Sequence, residues 1–396
     1  MNDIYQDMAA RLSQLEEEGN LRRLTPLRHE GRYVYTEKGG RQPMLNLSSN
    51  DYLGLAARTD WWREFVEGIP AEVLLPTSSS SRLLTGNFPV YTELEGELAT
   101  QLGCEATLVL GCGYHANAGI LPAVADKSTL ILADKLVHAS LIDGIRLSQA
   151  HCIRYRHNDL GQVERLLVKY HGMYSRIIIV TESIFSMDGD EADLPALVAL
   201  KKRYSNVMLY VDEAHAFGVR GDNGMGCAEE QGCVQDIDFL VGTFGKAAAS
   251  AGAFVASKRV AREYLVNHMR PFIFTTALPP VNVAWTLHVV QRLPGLKDER
   301  RQLHAIASRL RQGISLAGMQ SVGSSHIVPL VVGESAKAIR MAECLQSAGF
   351  YALPVRPPTI PQGTSRIRFS LTAALKAEEV DALASELRRL HKSHFG

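Results

Sequence analysis

Two apolar strands in this chain close on residues able to do chemistry together: Asp212 and His215 after one, Lys246 after the other. The run 238–246 reads as a short buried strand that ends on Thr243, Phe244, Gly245 and Lys246. A lysine delivered by the end of a buried strand is held in place. Its ammonium gives up a proton more readily there, as a Schiff-base lysine must. Upstream, residues 207–211 form a second apolar run that ends on Asp212, with His215 three residues further on. Taken singly, each has an ordinary reading: Lys246 a solvated surface lysine, Asp212 a loop cap, His215 a hydrogen-bonded core histidine. Taken together and in this order they suit pyridoxal phosphate. That cofactor needs a lysine imine, a carboxylate on its pyridinium nitrogen and a donor near its ring hydroxyl.

Other polar residues also gather behind strands. Gly111-Cys112-Gly113-Tyr114 follows the apolar stretch Ala106–Leu110 and opens a helix. A glycine turn at a helix start presents backbone N–H groups and the positive end of the dipole, a cradle for phosphate. Extended through His115-Ala116, the string satisfies G-x-G-x-x-A, with Asp134 after the next strand, and so imitates a dinucleotide fingerprint. A nicotinamide-dependent dehydrogenase is therefore an alternative, one that leaves Lys246 and Asp212 unexplained. His138 lies behind the strand at 129–133 and can stack a flat imidazole on an aromatic cofactor; its ordinary reading is a surface histidine. Ser183 and Ser186 follow the strand Arg176–Glu182, and Thr275-Thr276 precede Leu278-Pro279-Pro280, placing hydroxyls near a cofactor or its phosphate. Arg366 and Arg368 alternate onto one strand face, so that one guanidinium can hold a substrate carboxylate bidentately while the ordinary reading is a surface ion pair.

The elements that must carry these residues form two lobes. A chain of 396 residues exceeds the ~250–300 residues of a single hydrophobic core. The 46% hydrophobic and 21% charged content is that of a globular protein. Lysine plus arginine and aspartate plus glutamate number 42 each, which removes the basic footprint of a nucleic-acid binder. No apolar stretch approaches the ~20 residues that cross a bilayer. The N-terminus carries Asp3, Asp7 and Glu16-Glu17-Glu18, the opposite of a signal-peptide start, so the cytoplasm is the expected compartment. Six cysteines lie scattered without a C-x-x-C pair, which predicts buried thiols and no metal site.

The spacing of Ile4, Met8, Leu12 and Leu15 predicts a helix over 3–19, followed by a connecting segment to residue 45. From 46 to 285, short apolar runs alternate with helical stretches. Continuous runs at 106–110, 129–133, 176–182, 207–212, 239–243 and 252–256 predict strands buried on both faces, hence an α/β domain with a largely parallel sheet. From 286 to 396 the pattern becomes a smaller α+β domain. It has helices near 284–293, 298–316 and 336–348, strands near 326–332, 350–355 and 366–371, and a terminal helix through Val380, Leu383, Leu387 and Leu390.

With these motifs the chain resembles the α-oxoamine synthases, pyridoxal-phosphate enzymes of fold type I. The matching strings are Asn50-Asp51-Tyr52-Leu53-Gly54, Thr85-Gly86-Asn87, Asp134, His138-Ala139-Ser140, 185–190, Asp212-Glu213-Ala214-His215, Thr243-Phe244-Gly245-Lys246 and 356–368. They keep family order over nearly the whole chain. The resemblance implies that Lys246 carries the cofactor as a Schiff base, Asp212 pairs with the pyridine nitrogen, His215 donates to the ring oxygen and His138 stacks on the ring. It places Gly113, Tyr114, Ser186 and Thr243 at the cofactor, and Thr275 or Thr276 at the phosphate of a second subunit in a homodimer. Arg22, Asn50, Thr359 and Arg368 would meet substrate. Within the family, the segment 356–364 resembles the member that joins L-alanine to a pimeloyl thioester, carried on coenzyme A or acyl carrier protein, by decarboxylative Claisen condensation. Relatives that use glycine or serine with another acyl-CoA are the alternative, and a non-catalytic scaffold on the same fold would have no use for Lys246, Asp212 and His215 together. Departures from the family pattern fall at 77–82, Ala247-Ala248-Ala249, Ala277 and Leu375.

Overall fold

The computed structural model describes residues 4–36 and 42–395; Asp3 of the acidic N-terminus lies outside them. The chain divides into two compact units, one of residues 58–186 and 191–300, the other of residues 1–57, 187–190 and 301–396.

The first unit is built on seven strands: β1 (Ala106–Leu110), β2 (Thr129–Asp134), β3 (His151–Tyr155), β4 (Arg176–Glu182), β5 (Val207–Asp212), β6 (Phe239–Thr243) and β7 (Ala253–Ser257). They lie side by side in the order β1-β7-β6-β5-β4-β2-β3. Strands β3, β2, β4, β5 and β6 pair in parallel, while β7 runs antiparallel to both β6 and β1. The predicted runs all form strands, because Leu, Ile and Val on both faces find helices above and below. All of β1, β2 and β6 is buried.

The reversal at β7 has a simple cause. The connection from Phe244 to Gly252 is shorter than the dozen or so residues of a parallel crossover, so the chain turns back beside β6. Lys246 sits in this connection. Since β1 pairs antiparallel with β7, β1 points the same way as the parallel strands, and Leu110, Asp134, Glu182, Asp212 and Thr243 all end at one edge of the sheet.

In the second unit, strands Leu27–Glu30, Tyr33–Thr36 and Met44–Asn46 join Phe350–Tyr351 in a four-stranded sheet. Ile327–Gly333, Ser365–Ser370 and Pro354–Val355 form a three-stranded antiparallel sheet. The strand expected near 350–355 is thus two short strands in different sheets. The chain breaks at Ala352-Leu353, where the Leu353 N–H donates to the Ser48 hydroxyl at 3.1 Å, and resumes at Pro354, which cannot donate to a ladder. The helix expected near 284–293 begins earlier, at Pro280, because proline is well placed in a first helical turn. The N-terminal helix spans Ile4–Glu17, and its apolar residues Ile4, Met8, Leu12 and Leu15 are all exposed.

One close approach matters to the site. Helices Gly113–Val124 and Ala139–Leu147 cross where Gly144 meets the Asn117 backbone; a Cβ at 144 would collide with the Asn117 carbonyl oxygen. Backbone cannot give way as a side-chain tip can, so Gly144→Ala is expected to destabilise the protein by about 1–3 kcal/mol. Gly96, in the helix Pro89–Leu102, has nothing within 4 Å of a built Cβ. Gly96→Ala should therefore be neutral or stabilising by up to about 1 kcal/mol. Urea midpoints of the two variants measure the contrast; equal effects would show that the approach at Gly144 can relax.

Candidate active site

The predicted site residues of the first unit, apart from Thr275 and Thr276 behind the helix Arg270–Ile273, follow strand ends at the common edge, where open parallel sheets place their ligands. Lys246 Nζ lies 2.8 Å from His215 Nε2. Both groups cannot donate along this line, so one proton serves the pair. Asp212, at the buried end of β5, accepts from the Asn117 amide (Oδ2, 2.7 Å) and from the Ala214 N–H (Oδ1, 2.8 Å). Both of its oxygens are acceptors, the arrangement of a carboxylate.

Asn117 was not singled out in the sequence. Its signal was a polar residue within the otherwise apolar stretch Ala116–Val124, which is buried almost throughout. Its carbonyl accepts from the Tyr210 hydroxyl at 2.7 Å, and its amide also donates to Ser140 Oγ at 2.9 Å. Ser140 Oγ is 2.8 Å from His138 Nδ1, so Asp212 and His138 belong to one hydrogen-bonded chain. Burial pushes the His138 imidazole below its ordinary range, towards the neutral form.

Gly113 begins its helix with Cys112 as N-cap, the sulfur accepting from the His115 N–H at 3.4 Å. A Cβ on Gly113 would lie 3.7 Å from the Thr243 Cβ, so the helix start borders the end of β6. Thr243 is held there, donating to the Gly252 carbonyl at 3.0 Å and accepting from the Gly245 N–H at 3.3 Å. Ala249, the last of the alanine triplet after Lys246, adopts a left-handed φ of 46°. For a residue with a Cβ this costs about 1 kcal/mol. Tyr114 is half exposed, and its hydroxyl donates to Asp143. Ser186 is buried. Thr275 and Thr276 border a small cavity together with Gly111, His115 and Arg82, and Thr276 bridges to Ser81.

The second unit holds the other four predicted residues. Arg368 donates to Asn50 Oδ1 (3.3 Å), Ser370 Oγ (2.8 Å) and the Tyr52 hydroxyl (3.3 Å). Its strand neighbour Arg366 is instead buried in an ion pair with Asp188, so the two alternating arginines divide into a structural one and one held by neutral groups. Arg22 donates to Thr359 Oγ1 at 3.0 Å. Arg22, Thr359 and Arg368 border one cleft of about 280 Å³ together with Arg356, and no carboxylate is among its described lining residues. Burial, and next the charge of Arg22, lowers the Arg356 guanidinium from its ordinary value.

A lysine against a histidine, an acceptor carboxylate at the next strand end and a glycine-opened helix beside a threonine are groups that can hold a lysine-bound, phosphate-bearing cofactor. The model of the family described as aminotransferase class I and II matches residues 42–387. The chain belongs to that family, and within it to the α-oxoamine synthases. A protein of Pasteurella multocida named putative 8-amino-7-oxononanoate synthase is 53% identical over 384 residues, covering 96% of this chain and 97% of its own. The Haemophilus ducreyi 8-amino-7-oxononanoate synthase is 52% identical, over 95% and 98% of the two chains. Among solved structures, a serine palmitoyltransferase variant from S. paucimobilis with a bound PLP–myriocin aldimine matches at TM-score 0.89 with 27% identity, over 99% of both chains. The 8-amino-7-oxononanoate synthase of Francisella tularensis matches at 0.76 with 26% identity, over 89% of this chain and 99% of that one.

As a member of this family the chain is a pyridoxal-phosphate-dependent acyltransferase of the 8-amino-7-oxononanoate synthase type. The donor set fits the cofactor: an amine for its aldehyde, an acceptor for its ring nitrogen and free N–H groups at a helix start for its phosphate. Two further carboxyls lie beside Asp212. Glu182, paired with it across β4 and β5, accepts from the His138 N–H at 2.6 Å, and burial, then the charge of Asp212, pushes it well above the usual range. Glu213 is buried and accepts from Ser183 Oγ (2.6 Å), the Ala228 N–H (2.7 Å) and the Cys227 N–H (3.1 Å). Burial outweighs these bonds and raises it to about 7 from 4.5.

The folded protein therefore binds a proton at Glu213 that the unfolded chain releases at lower pH. Its contribution to stability is complete below pH 4.5 and disappears as the pH rises through about 7. The change amounts to about 3 kcal/mol at most. Urea midpoints measured from pH 4.5 to 8 should fall more steeply with rising pH in the wild type than in Glu213→Gln, which keeps the contribution of Glu182; identical slopes would mean that Glu213 titrates normally.

Proposed function

We propose that the protein condenses L-alanine with a pimeloyl thioester to give 8-amino-7-oxononanoate, carbon dioxide and the free thiol, a step of biotin synthesis. The observation that carries this reading is identity above 50%, over nearly full length, to relatives named 8-amino-7-oxononanoate synthase. The higher TM-score with the serine palmitoyltransferase does not compete with it. A backbone shared across α-oxoamine synthases reports the fold, whereas substrate choice resides in side chains. The cleft bordered by Arg22, Arg356, Thr359 and Arg368 supports a reaction whose reactants carry two carboxylates, the α-carboxylate of alanine and the far end of the pimeloyl chain.

Bound pyridoxal phosphate supplies an electron sink for the carbanion formed at the amino-acid Cα. Lys246 Nζ, once free, removes the Cα proton and later returns one, with His215 at 2.8 Å to exchange that proton. Asp212 holds a proton on the ring nitrogen, and Asn117 and the Ala214 N–H keep its carboxylate in place. His138 would hold the cofactor by stacking its imidazole on the ring. Arg368 orients the α-carboxylate. Alanine Cα then forms a bond to the acyl carbon as the C–S bond breaks, and the carboxylate leaves as carbon dioxide. Arg22, Thr359 and Asn50 hold the remaining polar ends of the substrates, and Ser186 and Tyr114 complete the cofactor's surroundings. The active unit in this reading is a cytoplasmic homodimer, in which Thr275 or Thr276 reaches the phosphate of the neighbouring subunit.

Mass spectrometry of products from alanine, glycine or serine with pimeloyl-CoA or pimeloyl-acyl carrier protein tests the substrate assignment. The 8-amino-7-oxononanoate mass is expected with alanine alone; a product formed faster with glycine or serine would overturn it.

Lys246→Ala is expected to abolish turnover and, after borohydride reduction, to lack the cofactor adduct seen on the intact wild-type chain. Mixed with Thr276→Val chains, it should regain activity. Each heterodimer then holds one site with both lesions and one with neither. Persistence of the adduct, or no recovery once subunit exchange is confirmed by mass, would refute the respective assignment.

A further inference from the structure

We infer that Asn117 is a positioning residue for the reaction, a single side-chain amide that sets the proton arrangement of Asp212 and of His138 together. Its hydrogen bonds leave one consistent assignment. The Nδ2 group has two hydrogens, and both are used, one on Asp212 Oδ2 at 2.7 Å and one on Ser140 Oγ at 2.9 Å. The Oδ1 atom accepts from the Tyr210 hydroxyl at 2.7 Å. A flipped amide would set its carbonyl against the Asp212 carboxylate, which is repulsive at this distance.

The consequence reaches His138 through Ser140. Because Ser140 Oγ accepts from Asn117, its own hydrogen is available to His138 Nδ1, 2.8 Å away. The Ser140 N–H also approaches that nitrogen, at 3.3 Å. Two donors at Nδ1 make it an acceptor and put the ring proton on Nε2, so His138 is a neutral imidazole of defined tautomer. The charges around it are Asp212, Lys246 and Asp143, with Glu182 bound to its backbone N–H. Burial, the largest influence, and the Lys246 charge lower its proton affinity, against the Asp212 and Asp143 carboxylates, which raise it.

Asn117, Ser140, Tyr210 and Asp212 are all buried, so water cannot replace a missing partner. Removing the amide leaves the Asp212 carboxylate short of a charge-assisted bond and lets Ser140 turn its hydrogen elsewhere. Asn117 touches neither substrate nor cofactor in this account. It acts through the two side chains that do.

This inference rests on the roles proposed above for Asp212 and His138, and the test separates the two. The holoenzymes of wild type, Asn117→Leu, Asn117→Asp, Ser140→Ala, Ser140→Thr and Asp212→Asn are titrated from pH 5 to 10 by visible absorption of the bound cofactor. Cofactor Kd and, with ¹⁵N-histidine, the imidazole shifts of His138 are also measured. Asn117→Leu is expected to move the absorption midpoint by at least about half a pH unit and weaken cofactor binding about tenfold, the scale of a lost bond to a charged group. The His138 nitrogens should also lose the Nε2–H pattern. Ser140→Ala should change the His138 shifts while leaving cofactor Kd within about twofold, and Ser140→Thr, which keeps the hydroxyl, should restore them.

A folded Asn117→Leu with wild-type midpoint, Kd and His138 shifts would overturn the inference. If that variant does not fold, Asn117→Asp decides by the same readings, since it keeps the shape and replaces a donor by an acceptor. Wild-type readings from Asp212→Asn would instead remove the role of Asp212 on which the inference stands.

Discussion

The Asp212 carboxylate ends a strand buried on both faces, and the arrangement around the site follows from accommodating it there. An ionised group taken out of water is costly unless hydrogen bonds replace its hydration. Here one oxygen is served by the backbone two residues on and the other by Asn117, which must be brought in by a different helix. That helix can come close because Gly144 lacks a Cβ where the next helix crosses it. The same helix begins at Gly113 beside Thr243, so its glycine start and the Asn117 amide that serves Asp212 lie about one turn apart on one rigid element.

Three acids crowd the same strand ends and are kept apart by environment. Asp212 receives donors on both oxygens. Glu182 and Glu213 are pushed upwards by burial and serve as acceptors for backbone, the first for His138 and the second for the short helix Cys227–Glu230. Raising a carboxyl by burial favours its neutral form, which lessens like-charge repulsion among neighbouring acids.

Much of the large sheet was legible because strands buried on both faces are unbroken apolar runs, as at β2, β4 and β5. Strand β3 was less so: it lies at the sheet edge, and His151 and Arg154 face solvent. Lys246, Asp212, His215 and His138 were legible as polar residues behind such runs. Asn117 was not, since a lone amide inside an apolar helix has no local signature of its role, and neither was the division of labour between Arg366 and Arg368. That depends on Asp188, a residue distant in sequence that takes up the first guanidinium.

By itself, the sequence determined the strands of the large sheet that are buried on both faces, the order of the motifs behind them and the family they specify, because these rest on local periodicity and on residue types at fixed spacing. The tertiary structure decided what those residues touch. Which acids burial pushes upwards, which arginine is spent on structure and how Asn117 ties Asp212 to His138 all depend on burial and on contacts between segments far apart in the chain. A buried group's hydration is replaced only by the partners that folding brings to it, and no local pattern encodes those partners.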